Sequence, residues 1–172
     1  MVCRRIGEIG VTLYASEEYL SRTGAPTRGN GLAGRDLIRF PNPPRKMAPL
    51  FFLGEAVEGA HTALRSNDQF VHLKAAAAGM GIAEMACYFA DGFPAVRRVW
   101  PCEQPLLKPV WLLYHTEMRR AARVRVVAAA IVEFFEKQAK VLRFGRQNRA
   151  RPLNQEMGEI SPRDSRRARR PE

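Results

Sequence analysis

Apolar and polar positions switch between two periods along the chain, and each switch marks an element. Val11–Ala15 is short and partly β-branched, which suits a strand. Ser16 follows as a candidate helix N-cap, with Glu17 and Glu18 in the first turn, where the helix dipole favours carboxylates. Tyr19 and Leu20 complete a short helix that Gly24, Ala25 and Pro26 end. After a stretch rich in Gly, Asn and Pro, Asp36–Phe40 reads as a second strand, and PNPPRKMAP from Pro41 is a breaker-rich connection. Phe51–Leu53 and Thr62–Arg65 are expected to pair as strands around Gly54–Gly59.

The clearest helix signal follows. Ser66 and Gln69 have the spacing of an S-x-x-Q capping box. Phe70, Val71 and Leu73 begin an apolar stripe, Ala75–Ala78 are strong helix formers, and Gly79 is a natural stop. Gly81, Ile82 and Ala83 enter a short strand, and Asp91-Gly92 is a turn. Val110–Tyr114 is a continuous apolar run, as expected of a strand covered on both faces. Thr116 is the expected cap of the last helix. There Ala121, Val124, Val127, Ala128, Ile131, Val132 and Phe135 recur at helical spacing, as on a helix packed against a sheet. The alternation of strands and helices predicts an α/β fold.

A chain of 172 residues with 46% hydrophobic content is long enough for one packed core. The longest apolar run, Val126–Val132, is closed off by Arg125 and Glu133, far short of the roughly 20 residues a membrane span needs. The start, MVCRRIGEIG, has no apolar stretch behind its arginines, so a secretory signal is not expected and the cytoplasm is the default. The formal net charge is +11, and it is uneven. From Arg143 to Glu172 there are nine arginines against four acidic residues and few apolar ones. That segment reads as a basic disordered tail, either solvated without a partner or making weak, salt-sensitive, sequence-independent contact with nucleic acid.

Candidate chemistry is sparse. Cys3, Cys87 and Cys102 are far apart and odd in number, which fits reduced thiols. Together with His61, His72 and His115 they do not have the spacing of a zinc site. The sequence contains no G-x-S-x-G, P-loop or H-E-x-x-H motif, and Gly79-Met80-Gly81 lacks a third glycine, so no enzyme, cofactor or metal is expected. One feature points to a ligand. Ser66, Asn67 and Asp68 open a helix directly after a strand, where free backbone N–H groups and polar side chains suit a carboxylate or small polar molecule. The same residues serve equally as ordinary capping.

Four blocks taken in order resemble the effector-binding domain of LysR-type transcriptional regulators: RRIGEIGVTLYASEEYL, GLAGRDLIRF, LRSNDQFVHLKAAAAGMGIAEMACYFA and WLLYHTEMRRAARVRVVAAAIVEFF. The resemblance covers about residues 2 to 140. It implies a type II periplasmic-binding-protein-like fold with two α/β subdomains and an effector cleft between them. Arg4–Ile9 would cross into the second subdomain, residues 11 to about 105 would form it, and Val110–Tyr114 with the final helix would return to the first. Residues 1–142 would thus be a partial effector-binding domain and 143–172 the tail. Such regulators begin with a winged helix-turn-helix, so the resemblance also predicts a truncated regulator without its DNA reader. The family's usual proline after the GIA-type strand is absent, since Glu84, Met85 and Ala86 run on. Ser66, Asn67 and Asp68 would contact a small, anionic effector. Self-association, or pairing with related regulators, is expected through Val124, Ile131 and Phe135 if these are left partly exposed. The alternative is a non-sensing fragment that pairs with full-length regulators, or a reading frame without function.

Overall fold

The structure is a computed structural model that describes residues 1–41, 51–117 and 121–146. Its first element, β1 (Val2–Ala15), is one 14-residue strand. The expected crossover and the expected short strand are therefore a single element. Gly7 and Gly10 lie within it without a positive φ, so nothing turns the backbone between the two parts. A register shift between Arg5 and Gly7 is its one irregularity against its long partner.

α1 (Glu17–Thr23) begins where the sequence predicts. Ser16 Oγ accepts the Tyr19 N–H at 3.2 Å, and Gly24 ends the helix at φ +72°. β2 (Asp36–Arg39) follows. β3 (Phe51–Phe52) and β4 (Glu55–Ala56) pair with each other, turning at Leu53 and Gly54, both at positive φ. That two-residue turn closes a local hairpin, so β5 (His61–Arg65) does not pair with Phe51–Leu53 as expected. It lies parallel to β2 instead, with Asp36 opposite His61 and Arg39 opposite Arg65. α2 (Gln69–Ala77), β6 (Ile82–Ala86), α3 (Cys87–Ala90) and β7 (Arg97–Arg98) complete this half.

The sheet order is β5-β2-β6-β1-β7, with β8 (Leu106–Tyr114) also on β1. β2 runs parallel to β5 and β6, while β1 runs against β6, β7 and β8. Alternate residues feed two cores on opposite faces. Leu13, Leu37 and Ile82 pack with Tyr19, Leu20 and Leu32, whereas Tyr14, Ile38 and Ala83 pack with Leu73, Ala76 and Ala90. A sheet covered on both faces needs apolar residues at consecutive positions, which these strands have.

The part built on β8 is barer. Trp111 and Leu113 are each about half exposed, at 50% and 53%, and Leu106 is exposed at 51%. The apolar run Val110–Tyr114 is thus covered on one face only, by α4 (Ala122–Lys137). Thr116 does not cap that helix. Its N-cap is Ala121, which supplies no side-chain acceptor. Val132 is buried and Val124, Ile131 and Phe135 are half-buried, while Val126, Val127 and Phe134 are exposed.

α5 (Ala139–Phe144) passes the boundary expected at residue 142 and is part of the packed structure. It lies over β1 at Gly10, where an added Cβ would collide with the Arg143 carbonyl. Beyond it the Phe144 carbonyl accepts from Arg98 at 2.6 Å. Arg98 also donates to both oxygens of Asp91, at 3.1 and 2.6 Å, and the Tyr14 hydroxyl donates to Asp91 at 2.7 Å. Cys87 is buried beside them as a free thiol. Burial pushes its thiol up. Burial and the Asp91 hydrogen bond push the Tyr14 phenol up as well. Burial alone would lower the Arg98 guanidinium, but the contacts to Asp91 and Tyr14 outweigh it and hold Arg98 above its ordinary value. The rest of the basic segment, 147–172, lies outside the described residues.

Gly10 is the position where this packing tolerates least. Gly10→Ala is expected to lower stability by about 1–3 kcal/mol in urea unfolding, the usual cost of forcing extra volume into a packed contact. Gly92→Ala, whose Cβ would meet only the Phe89 carbonyl at 3.6 Å, is expected to change it by under about 0.5 kcal/mol. Equal effects of the two would show that α5 does not rest on Gly10.

Candidate functional site

β2 and β5 end side by side at Arg39 and Arg65, and the parallel β6 ends at Ala86. In open parallel sheets the crevice outside the carboxyl ends of the strands is where ligands bind, because helices start there with unpaired N–H groups. Ser66, Asn67 and Asp68 occupy that edge, between β5 and α2.

The structure brings all three together but divides their tasks differently from the expected capping box. Asp68 is the N-cap, its Oδ1 accepting the Phe70 N–H at 2.7 Å. Ser66 Oγ accepts the Asp68 N–H at 3.1 Å, a turn just before the helix. Gln69 is then the first helical residue and too early to close a box with Ser66. A carboxylate at the helix start gains from the dipole as a hydroxyl does not, which favours the later cap. Asn67 is exposed and makes no hydrogen bond to any described residue.

His72 is fully buried. Its Nε2 lies 2.9 Å from the Ser66 carbonyl, which can only accept, so Nε2 carries the proton. Its ring sits 4.5 Å from the Phe40 ring, and among the described residues Nδ1 has no partner. His72 therefore braces the ends of β2 and β5 from beneath the edge. His61 and His115 are exposed and paired with Asp36 and Glu117.

The residues that sequence reasoning missed are the arginines. Arg39 and Arg65 face each other in register, and Arg39 lies over the Phe52 ring at 6.0 Å. Burial and the neighbouring Arg65 charge both pull the Arg39 guanidinium below its ordinary value. The available signal was that each arginine is the last charged residue of a predicted strand, immediately before a connection.

Among the described residues no group of His, Cys, Asp and Glu could hold a metal ion, and no helix is long and apolar enough to cross a membrane.

The model of the LysR substrate binding domain matches residues 1–136. The chain belongs to this family. No curated protein matches the sequence. Among solved structures, the chain is similar to the regulatory domain of CrgA, a LysR-type transcriptional regulator from Neisseria meningitidis, with a TM-score of 0.59 and 19% identity over 77% of this chain and 68% of that one. It is similar to the effector domain of the transcriptional regulator AmpR of Pseudomonas aeruginosa, with a TM-score of 0.58 and 17% identity over 80% and 66%. It also matches the full-length virulence activator AphB of Vibrio cholerae, with a TM-score of 0.58 and 22% identity over 77% of this chain. The chain spans about half the length of that activator, 47%. These identities speak for the fold, which is the type II periplasmic-binding-protein-like fold of LysR substrate-binding domains. In this LysR-family chain β1 and β8 pair antiparallel from Val2 opposite Tyr114 to Val11 opposite Leu106, and the carboxyl edge carrying Ser66–Asp68 belongs to the well-packed half.

The cap assignment predicts that Asp68→Ala costs about 0.5–2 kcal/mol of stability, the range for loss of an N-cap side chain. Ser66→Ala is expected to cost less. Thermal or urea unfolding of the two variants checks this, and a larger loss for Ser66→Ala would return the cap to Ser66.

Proposed function

We propose that this chain is the sensing part of a LysR-type regulator, binding a small anionic effector at the carboxyl edge of its parallel strands. The observation that carries the reading is the Ser66–Asn67–Asp68 helix start, with a polar side chain at Asn67 that no described residue uses. Ser66 and Asn67 contact the effector, and Asp68 fixes the helix start that presents them. Binding alone does the work, and no bond is made or broken. As a regulator of transcription it works in the cytoplasm, and segment 147–172 adds at most weak, salt-sensitive contact with nucleic acid.

Calorimetric titration of small carboxylates into the full chain tests the reading. Asn67→Ala is expected to weaken binding by about 1–3 kcal/mol, the penalty for leaving a partner unpaired. Equal affinities in the parent and the variant would remove Asn67 from the site.

One further observation supports association with another LysR-type domain, whether a second copy or a relative. Leu112, Tyr114, Val124, Val127, Ala128 and Ile131 line an open apolar groove between β8 and α4. Trp111 and Leu113 are exposed on the opposite face of the same strand. Apolar surface of this extent marks interaction surfaces. Val127→Glu is expected to lower the sedimentation-derived association state. An unchanged concentration dependence would exclude this groove.

A further inference from the structure

Val110–Tyr114 is apolar at every position, the pattern of a strand enclosed on both faces inside a sheet. It is not so enclosed. Among the described residues β8 pairs with β1 alone, so its other edge is open, and Trp111 and Leu113 are half exposed on the face away from α4. An open apolar edge is a template for a further strand, and charged residues are the usual guard against it. The two ends of the main strand order have that guard. β5 begins at His61 and ends at Arg65, and β7 is Arg97–Arg98. β8 lacks it. In a chain with 28 basic side chains, none falls between Val110 and Tyr114, and Lys108 just before that run is ion-paired with Glu84. Arg4 and Arg5 lie opposite Leu112 and Trp111 on β1, the inner side of the strand.

We propose that β8 pairs antiparallel with β8 of a second copy, centred on Leu112, so that two sheets become one. This rests on the association reading above and names its partner and the way the two join. Two copies with a net charge of +11 each repel at a distance, and this uncharged edge lets them meet without opposing like charges. A second copy also supplies both things that β8 lacks, backbone partners for the edge and apolar cover for Trp111 and Leu113. Pro109 has no N–H to donate, so the pairing segment is Val110–Tyr114 beyond it. A register centred on Leu112 sets Val110 opposite Tyr114 and Trp111 opposite Leu113, and residues directly opposite point to the same face. The Trp111 and Leu113 side chains of the two copies then cover one another. On the other face Leu112 and Tyr114 carry each apolar groove up to the seam. The same surface serves on both sides and each copy has one such edge, so assembly closes at two.

The test begins with sedimentation of the full chain over a range of concentrations, where a monomer–dimer equilibrium is expected. Leu113→Glu, at an exposed position, is expected to raise the dimer dissociation constant about tenfold or more, because it sets a carboxylate into the apolar seam. The register is read by crosslinking, with the exposed Cys3→Ser and Cys102→Ser changes made first. Leu112→Cys in that background is expected to give a disulfide-linked dimer under mild oxidation, since directly opposite residues lie about 4.5–5.5 Å apart at Cα, within disulfide reach. Met80→Cys, exposed in the other half, is expected not to. A monomer at every concentration overturns the proposal and removes the second copy from the groove reading. In a chain that does associate, an unchanged dissociation constant in Leu113→Glu, or a Leu112→Cys crosslink no stronger than that of Met80→Cys, overturns the strand pairing. If Val127→Glu still weakens association in that case, the groove contact stands without it.

Discussion

Pairing along both edges of β1 ties the two ends of this chain into one sheet. Val11 is bonded to Ala86 on one side and faces Leu106 on the other, and Tyr14 sits between Ala83 and Arg98. A strand in that position can carry no break, and it must also let helices approach from above. The two glycines meet the second demand. At Gly7 a Cβ would come within 2.8 Å of the Phe135 ring, and at Gly10 it would meet the α5 backbone. Glycine inside a strand weakens it locally, so its presence at both approach points marks where the C-terminal helices must lie. The candidate site at the carboxyl edge depends on this arrangement indirectly, because β6, β2 and β5 are stacked outward from β1 and take their alignment from it.

A second constraint fastens the C-terminal end. Asp91 and Arg98 are nearly buried, with side chains 4% and 16% exposed, and are joined by two hydrogen bonds. A pair taken out of water is sustained only when its remaining groups are also satisfied. Tyr14 supplies one partner and the Phe144 carbonyl another. The network therefore links β1, α3, β7 and the end of α5, and it explains why α5 runs past the point where composition turns basic. The two halves consequently differ in character. The half around β2, β5 and β6 is closed on both faces, while the β8–α4 half presents apolar surface outward, which is where a partner is expected.

Much of the fold was legible because strongly patterned segments admit one reading. Ser16 capping α1, the apolar residues of β6 and the stripe of α4 all follow from local rules. Long-range pairing was not legible. Phe51–Leu53 and Thr62–Arg65 looked like a pair because they are close in sequence, but Leu53-Gly54 closes a smaller hairpin, and the partner of β5 is distant β2. The cap of α2 was misplaced because Ser66 and Asp68 are both good caps, and only the backbone angles at the strand's end decide between them. Of the candidate site, the neutral residues stand out in the sequence by their place before a helix. That Arg39 and Arg65 are neighbours could not be read there, since only the parallel register of β2 and β5 brings them together.

The central claim is that β1 couples the two halves into one cooperative structure. Native-state hydrogen exchange measures this directly. The slowest amides of β8 are expected to exchange with the same opening free energy as the slowest amides of β6, because both depend on one unbroken strand. If β8 opens several kcal/mol more easily than β6, with β6 unaffected, the strand does not couple the halves and the account is wrong.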